Sequence, residues 1–111
     1  MTKYRAIKTE VDGIMFDSKK EANRYVELKE KLNAGIIQDR KLQPEFDCVI
    51  NGKKFCTYKA DFEYLLVDET GPQGQIGYYI VEDVKGFKTS TYRLKKKLVE
   101  ALHPGTVINE I

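Results

Sequence analysis

Asn51-Gly52 is the pair that most limits what this chain can fold into. Asn-Gly accepts positive φ at both central positions of a two-residue turn, and that turn's twist matches the strands it joins. The flanking stretches, Glu45–Ile50 and Lys54–Val67, carry the aromatic and β-branched residues of strands, so an antiparallel hairpin is expected there. The Gly- and Pro-containing stretch Asp68–Gly77 reads as a loop leading to a third strand, Tyr78–Val84. Ahead of these strands, Ser18-Lys-Lys-Glu21 fits a capping box. Tyr25, Leu28 and Leu32 follow at helical spacing, and Ala34-Gly35 supplies a stop. Thr89–Leu102 predicts a second helix with Leu94, Leu98, Ala101 and Leu102 on its apolar face. Pro104-Gly105 ends that helix, and Thr106–Ile111 can form a last short strand. The predicted order is helix, three strands, helix, strand: an α/β (α+β) protein with a mixed sheet flanked by helices.

At 111 residues the chain supports one domain, spanning 1–111. A composition of 41% hydrophobic and 32% charged residues sets aside disordered and coiled-coil classes. No apolar run reaches the roughly 18 residues of a membrane span, and the opening MTKYRAIKTE is too polar for a signal peptide. A cytoplasmic location, with no membrane partner, is the expectation. Cys48 and Cys56 are too few for a disulfide scaffold. A two-residue loop sets Cys48 opposite Phe55, whereas a three-residue loop would pair the cysteines directly. Two buried free thiols are expected. With His103 as the single histidine, a zinc site or a histidine-based triad has little material.

Charge is segregated along the chain although the net value is only +2. From Ala60 to Val84 there are six acids and no base, and from Lys85 to Lys97 six bases and no acid. Lys3, Arg5 and Lys8 form a further basic group, followed by Lys19 and Lys20. Carboxylates for a cation beside basic segments for a polyanion is one reading; solvated faces of ordinary elements is the plainer one.

The acids fall at informative positions. In Ile80-Val-Glu-Asp-Val-Lys85-Gly, strand alternation puts Asp83 and Lys85 on one face and Glu82 and Val84 on the other. An acid and a base at the end of an apolar strand suit an ion pair, or a site at an open sheet edge. Asp61 is read in the middle of a long apolar strand, where Asp is disfavoured. If its strand lies antiparallel to that of Asp83, the carboxylates come together and repel unless a cation or a proton intervenes. Hard oxygen ligands favour Mg²⁺ or Mn²⁺. A lysine partner for Asp61 is the ordinary alternative. Glu21 sits in the first turn on the helix's inward face, where it can both cap the helix and point toward the aspartates.

Together these residues resemble the PD-(D/E)XK nuclease superfamily: Glu21 on the first helix, Asp61, then Asp83-Val84-Lys85, in that order of elements. The fuller string is similar to a small phage and prophage family of that fold. It runs through Lys3-Tyr4-Arg5, Phe16-Asp-Ser-Lys-Lys-Glu21-Ala, Leu42-Gln-Pro44, Ala60-Asp61-Phe62 and Glu82-Asp-Val-Lys85-Gly86. The resemblance implies a restriction-endonuclease-like core of order α-β-β-β-α-β and a metal-dependent endodeoxyribonuclease. Some relatives resolve branched DNA such as Holliday junctions. It implies Asp61, Asp83 and the main-chain carbonyl of Val84 as ligands of Mg²⁺ or Mn²⁺, and Lys85 beside the attacking water. Glu21 would serve a second metal or its water. Asp83 stands where Glu is commoner, with Glu82 adjacent; alternation favours Asp83, since it shares a face with Lys85.

DNA is the implied partner. Lys88, Arg93, Lys95 and Lys96 around the second helix, with Lys3 and Arg5, are the expected phosphate contacts. Gln43 can face the site or simply mark a strand entry. Cutting both strands of a junction would call for a symmetric homodimer. Two further readings compete with the nuclease: a catalytically silent nucleic-acid-binding module of the same fold, and a small interaction subunit whose charges are surface only.

Overall fold

A computed structural model describes residues 7–71, 74–84 and 88–111, and of 68–71 and 74–76 the backbone only. Lys3, Arg5 and Lys85 lie outside the described residues. The elements are β1 (Thr9–Val11), β2 (Ile14–Phe16), α1 (Lys19–Asn33), β3 (Ile37–Leu42), β4 (Glu45–Ile50), β5 (Lys53–Lys59), β6 (Phe62–Gly71), β7 (Gly74–Asp83), α2 (Ser90–Leu102) and β8 (Ile108–Glu110). The architecture is α+β. A four-stranded mixed sheet has the order β3-β6-β7-β8, antiparallel except for the parallel β7–β8 pair, and two separate hairpins, β1-β2 and β4-β5, accompany it. No helix among the described residues is long and apolar enough to cross a membrane.

Both helix starts follow their local chemistry. Ser18 caps α1 by accepting from the Glu21 N–H at 3.1 Å, and Thr89 caps α2 by accepting from the Tyr92 N–H at 3.0 Å. The Asn51-Gly52 turn forms as its sequence requires, with φ of 51° and 77°.

The strands depart from expectation in four places. An Asp12-Gly13 turn, also with both φ positive, makes the additional β1-β2 hairpin. It is pinned to α1 by Tyr25 and Lys29, both donating to Asp12 Oδ2 at 3.0 and 2.6 Å. An additional strand, β3, forms from Ile37–Leu42, a sequence too polar to announce itself. The long strand expected over Lys54–Val67 breaks at Ala60–Asp61 into β5 and β6, which belong to different sheets. The stretch expected as a loop, Asp68–Gly77, instead largely extends β6 and β7, with Gly71 opposite Gly74.

The cysteine geometry also differs. The turn has two residues, with Ile50 opposite Lys53, but a bulge at Phe55 shifts the register so that Cys48 faces Cys56. Both are free thiols; Cys48 is buried and Cys56 half-buried. Burial pushes the Cys48 thiol upward, and its contact with Cys56 adds to this.

Two apolar clusters hold the sheet from either side. One joins Phe16, Ala22, Tyr25 and Leu28 to Ile37, Phe62 and Tyr64. The other joins Cys48, Tyr58 and Ala60 to Val81, Tyr92, Val99 and Ile108. The buried face of α2 is therefore Tyr92 and Val99, with Leu98 and Leu102 packed beside them, while Leu94 is 60% exposed and Ala101 is exposed too. The stripe is rotated from the one expected because Tyr92 packs its ring near Tyr58, at 6.3 Å between centroids, and donates its O–H to Glu110 at 2.8 Å. Leu94 offers no comparable anchor. This rotation carries Lys95 toward β5, where its Nζ donates to the Thr57 carbonyl at 3.5 Å.

Candidate active site

Asp61 owes its place to the break between β5 and β6. A strand interior would tax a short acidic side chain, and here it occupies a bend instead, with Ala60 buried beside it. Its backbone is fixed on both flanks. The Asp61 N–H donates to the Glu82 carbonyl at 3.1 Å, and its carbonyl accepts from the Gln43 N–H at 2.9 Å. Phe62 pairs with Glu82 in the β6–β7 register, and Asp61 and Asp83 are the next residues along, close enough for their carboxyls to interact. The antiparallel neighbourhood expected from the sequence is present.

Asp83 is fully buried, and the Tyr58 hydroxyl donates to its Oδ2. Burial raises the Tyr58 phenol well above its usual range, and the adjacent Asp83 adds to the shift. Asp61 Oδ2 accepts from the Val84 N–H at 2.7 Å. Burial drives the Asp61 carboxyl up to about 7; the Val84 N–H holds it down, while the nearby charges of Glu21 and Asp83 and a hydrogen bond with Asp83 push it further up. Glu21, 5% exposed in the first turn of α1, thus lies close enough to act on Asp61. Asp61 and Asp83 form an acid pair, and Glu21 acts on Asp61 through its charge.

Glu82 leaves β7 on the other face. The Arg24 guanidinium grips it through two bonds, Nε to Oε1 at 2.8 Å and Nη2 to Oε2 at 2.6 Å, and the Tyr64 hydroxyl donates to Oε2. The charge is balanced and the oxygens are engaged, so Glu82 joins α1 to the sheet. Arg24 also pairs with Glu27 at 2.8 Å, and these carboxylates raise the guanidinium further above its usual range.

The remaining candidates are scattered around this centre. Gln43, at φ 52°, contributes its backbone N–H to Asp61 while the residue itself is exposed. Lys88 and Lys96 lie near Glu110, at 3.2 and 3.9 Å, and Arg93 is exposed on α2. Lys95 is drawn to β5, as described above. Tyr58, Tyr64 and Arg24 are site residues that sequence reasoning missed. None of the three had a local signal, because Tyr58 meets Asp83 across 25 residues, and Arg24 and Tyr64 meet Glu82 across 58 and 18.

The donor set is hard oxygen: Asp61, Asp83 and, nearby, Glu21. Among the described residues, no three His, Cys, Asp or Glu side chains form a ready cage for a metal. Mg²⁺ does not need one, because it commonly takes one or two carboxylates and completes its shell with water and phosphate oxygens. An Asp61 carboxyl raised by burial and by neighbouring acids fits such a cation, whose charge would relieve the repulsion. A family model described as "Protein of unknown function (DUF1064)" matches residues 1–108. No curated protein and no solved structure matches the chain.

Proposed function

Because the chain belongs to the DUF1064 family, whose description leaves the chemistry open, we propose from the site itself that it is a divalent-metal-dependent endodeoxyribonuclease of the PD-(D/E)XK type, acting on duplex or branched DNA. The observation that carries this reading is the Asp61–Asp83 carboxyl pair at the end of the sheet, with Glu21 close by. The sheet order supports it as well. With the two hairpins set aside, the remaining order α1, β3, β6, β7, α2, β8 is compatible with a restriction-endonuclease-like core.

Asp61 and Asp83 would hold Mg²⁺ or Mn²⁺, with the Val84 carbonyl and Glu21 as further oxygen donors. The ion, when bound, neutralises phosphodiester charge and makes water a better nucleophile at neutral pH. The chain's own residues prepare that site. Tyr58 fixes the orientation of Asp83 through its O–H, and the Val84 N–H fixes Asp61. Lys85, two residues after Asp83, is assigned to the attacking water and to the charge that grows on the phosphate oxygens. The basic residues of α2 would hold the flanking backbone without reading bases.

The test is cleavage of a labelled four-way junction and a matched linear duplex with Mg²⁺ or Mn²⁺, by wild type and Asp83→Ala. The expected result is metal-dependent cutting that falls at least about 100-fold in the variant. Preference for the junction would assign a role in resolving branched DNA, with a homodimer supplying the second cut. Binding of both DNAs without cutting under either metal would replace the nuclease with a silent nucleic-acid-binding module.

A further inference from the structure

Lys88, Arg93, Lys96, Lys97, Glu100 and Glu110 line a cleft of about 420 Å³ beside α2 and β8. Its two acids have different duties. Glu100 Oε2 accepts from the Ile108 N–H at 3.1 Å and so anchors the start of β8. Glu110 faces the cations: its Oε1 lies 3.2 Å from Lys88 Nζ and 3.9 Å from Lys96 Nζ, while its Oε2 accepts from the Tyr92 hydroxyl at 2.8 Å. The Glu110 side chain is 26% exposed, so it can turn into water without stranding a buried charge.

The cleft adjoins the acid pair. β8 runs parallel to β7 with Glu110 opposite Asp83, about 4.8 Å away at ordinary strand spacing. The Ile111 N–H donates to the Asp83 carbonyl at 3.0 Å, tying the strand ends together. Tyr92 spans the two places, with its hydroxyl on Glu110 and its ring next to Tyr58, which donates to Asp83.

We infer that this cleft is a phosphate subsite for the nucleic-acid strand engaged at the acid pair, and that Glu110 is its placeholder. In the free protein the Glu110 carboxylate takes up Lys88 and Lys96; a backbone phosphate of the entering strand displaces it and takes the same two ammonium groups. Arg93 and Lys97, both exposed at the rim, add attraction at longer range. The inference rests on the proposed nuclease reading for the strand's identity, whereas the chemistry of recognition is that of phosphate alone. Glu110 thus sets how tightly the strand is held, by competing for its cations.

Binding of a labelled single-stranded oligodeoxynucleotide, measured by anisotropy in EDTA across a salt series, tests this without any cleavage. Glu110→Gln keeps an acceptor for Tyr92 but removes the competing charge, and is expected to tighten binding several-fold. Lys88→Ala and Lys96→Ala are expected to weaken it and to lower the slope of log K against log salt by about one each. Lys54→Ala, on β5 and paired with Asp47 at 3.4 Å, serves as the control and leaves binding close to wild type. Thermal melts establish that each variant is folded. Unchanged or weaker binding by folded Glu110→Gln, or an unchanged slope in Lys96→Ala, overturns the subsite. If inorganic phosphate protects the wild type against melting while oligonucleotide binding ignores Lys88 and Lys96, the cleft belongs to a free anion and the strand assignment fails. Oligonucleotide binding through these lysines with no metal-dependent cutting would uphold the subsite and overturn the nuclease reading alone.

Discussion

Glu82 and Asp83 are adjacent on β7, carry the same charge and are buried almost equally, at 1% and 0% exposure. Their surroundings divide them. Glu82 turns toward α1, where Arg24 and Tyr64 neutralise it and satisfy its oxygens. Asp83 turns toward β5 and α2, where it meets the Tyr58 hydroxyl and a second carboxyl, Asp61. One acid is closed into the structure, and the other is held in a like-charge pair that a cation would complete. Chemistry is expected where buried acids sit against one another, not wherever an acid is buried.

The sharpest way to break this contrast is to remove the partner on the structural side. Arg24→Ala leaves Glu82 buried without its cation, and a loss of about 3–5 kcal/mol is expected in urea unfolding. A loss below about 1 kcal/mol would mean that the pair acts as an exposed one and that Glu82 is not the structural acid. On the other side, Tyr58→Phe takes one donor from Asp83, for an expected cost of about 1–3 kcal/mol. Bound metal should recover part of that loss, so the deficit measured with Mg²⁺ should be smaller than in EDTA.

The smallest effect concerns pH. Asp61 titrates near 7 in the folded chain and near 3.8 as the ordinary value, so between those limits the folded state holds the extra proton. Its contribution to stability is full below about pH 4 and is lost as pH rises toward 7. Melts of the metal-free protein from pH 4 to 8 should show that decline, and Asp61→Asn should flatten it. A variant whose pH profile overlays the wild type would remove Asp61 from the acid pair.

The features legible in the sequence are those written in short-range chemistry. Ser18 and Glu21 mark the start of α1, Asn51-Gly52 marks the hairpin, and alternation separates Asp83 from Glu82. Asp12-Gly13 carries the same turn signal as Asn51-Gly52 and was legible in principle; the flanking runs of three residues are too short to stand out. What could not be read was set by distant partners. The bulge that brings Cys56 opposite Cys48 has no glycine to announce it. The break at Ala60–Asp61 is fixed by bonds from Pro44, Gln43 and Glu82, contributed by other segments of the chain. The Arg24–Glu82 pair joins a helix to a strand that local periodicity cannot relate. The rotation of α2 is set in the same way, since Leu94 is more apolar than Tyr92 but only Tyr92 finds anchors in Tyr58 and Glu110.

The measurement that bears most directly on the division between these two acids is a calorimetric titration with Mn²⁺ of wild type, Asp83→Asn and Glu82→Gln, each first shown to be folded by circular dichroism. Mn²⁺ binding is expected to be lost in Asp83→Asn and kept near the wild-type affinity in Glu82→Gln. Binding that survives in Asp83→Asn and disappears in folded Glu82→Gln would contradict that division and move the site to the other face of β7.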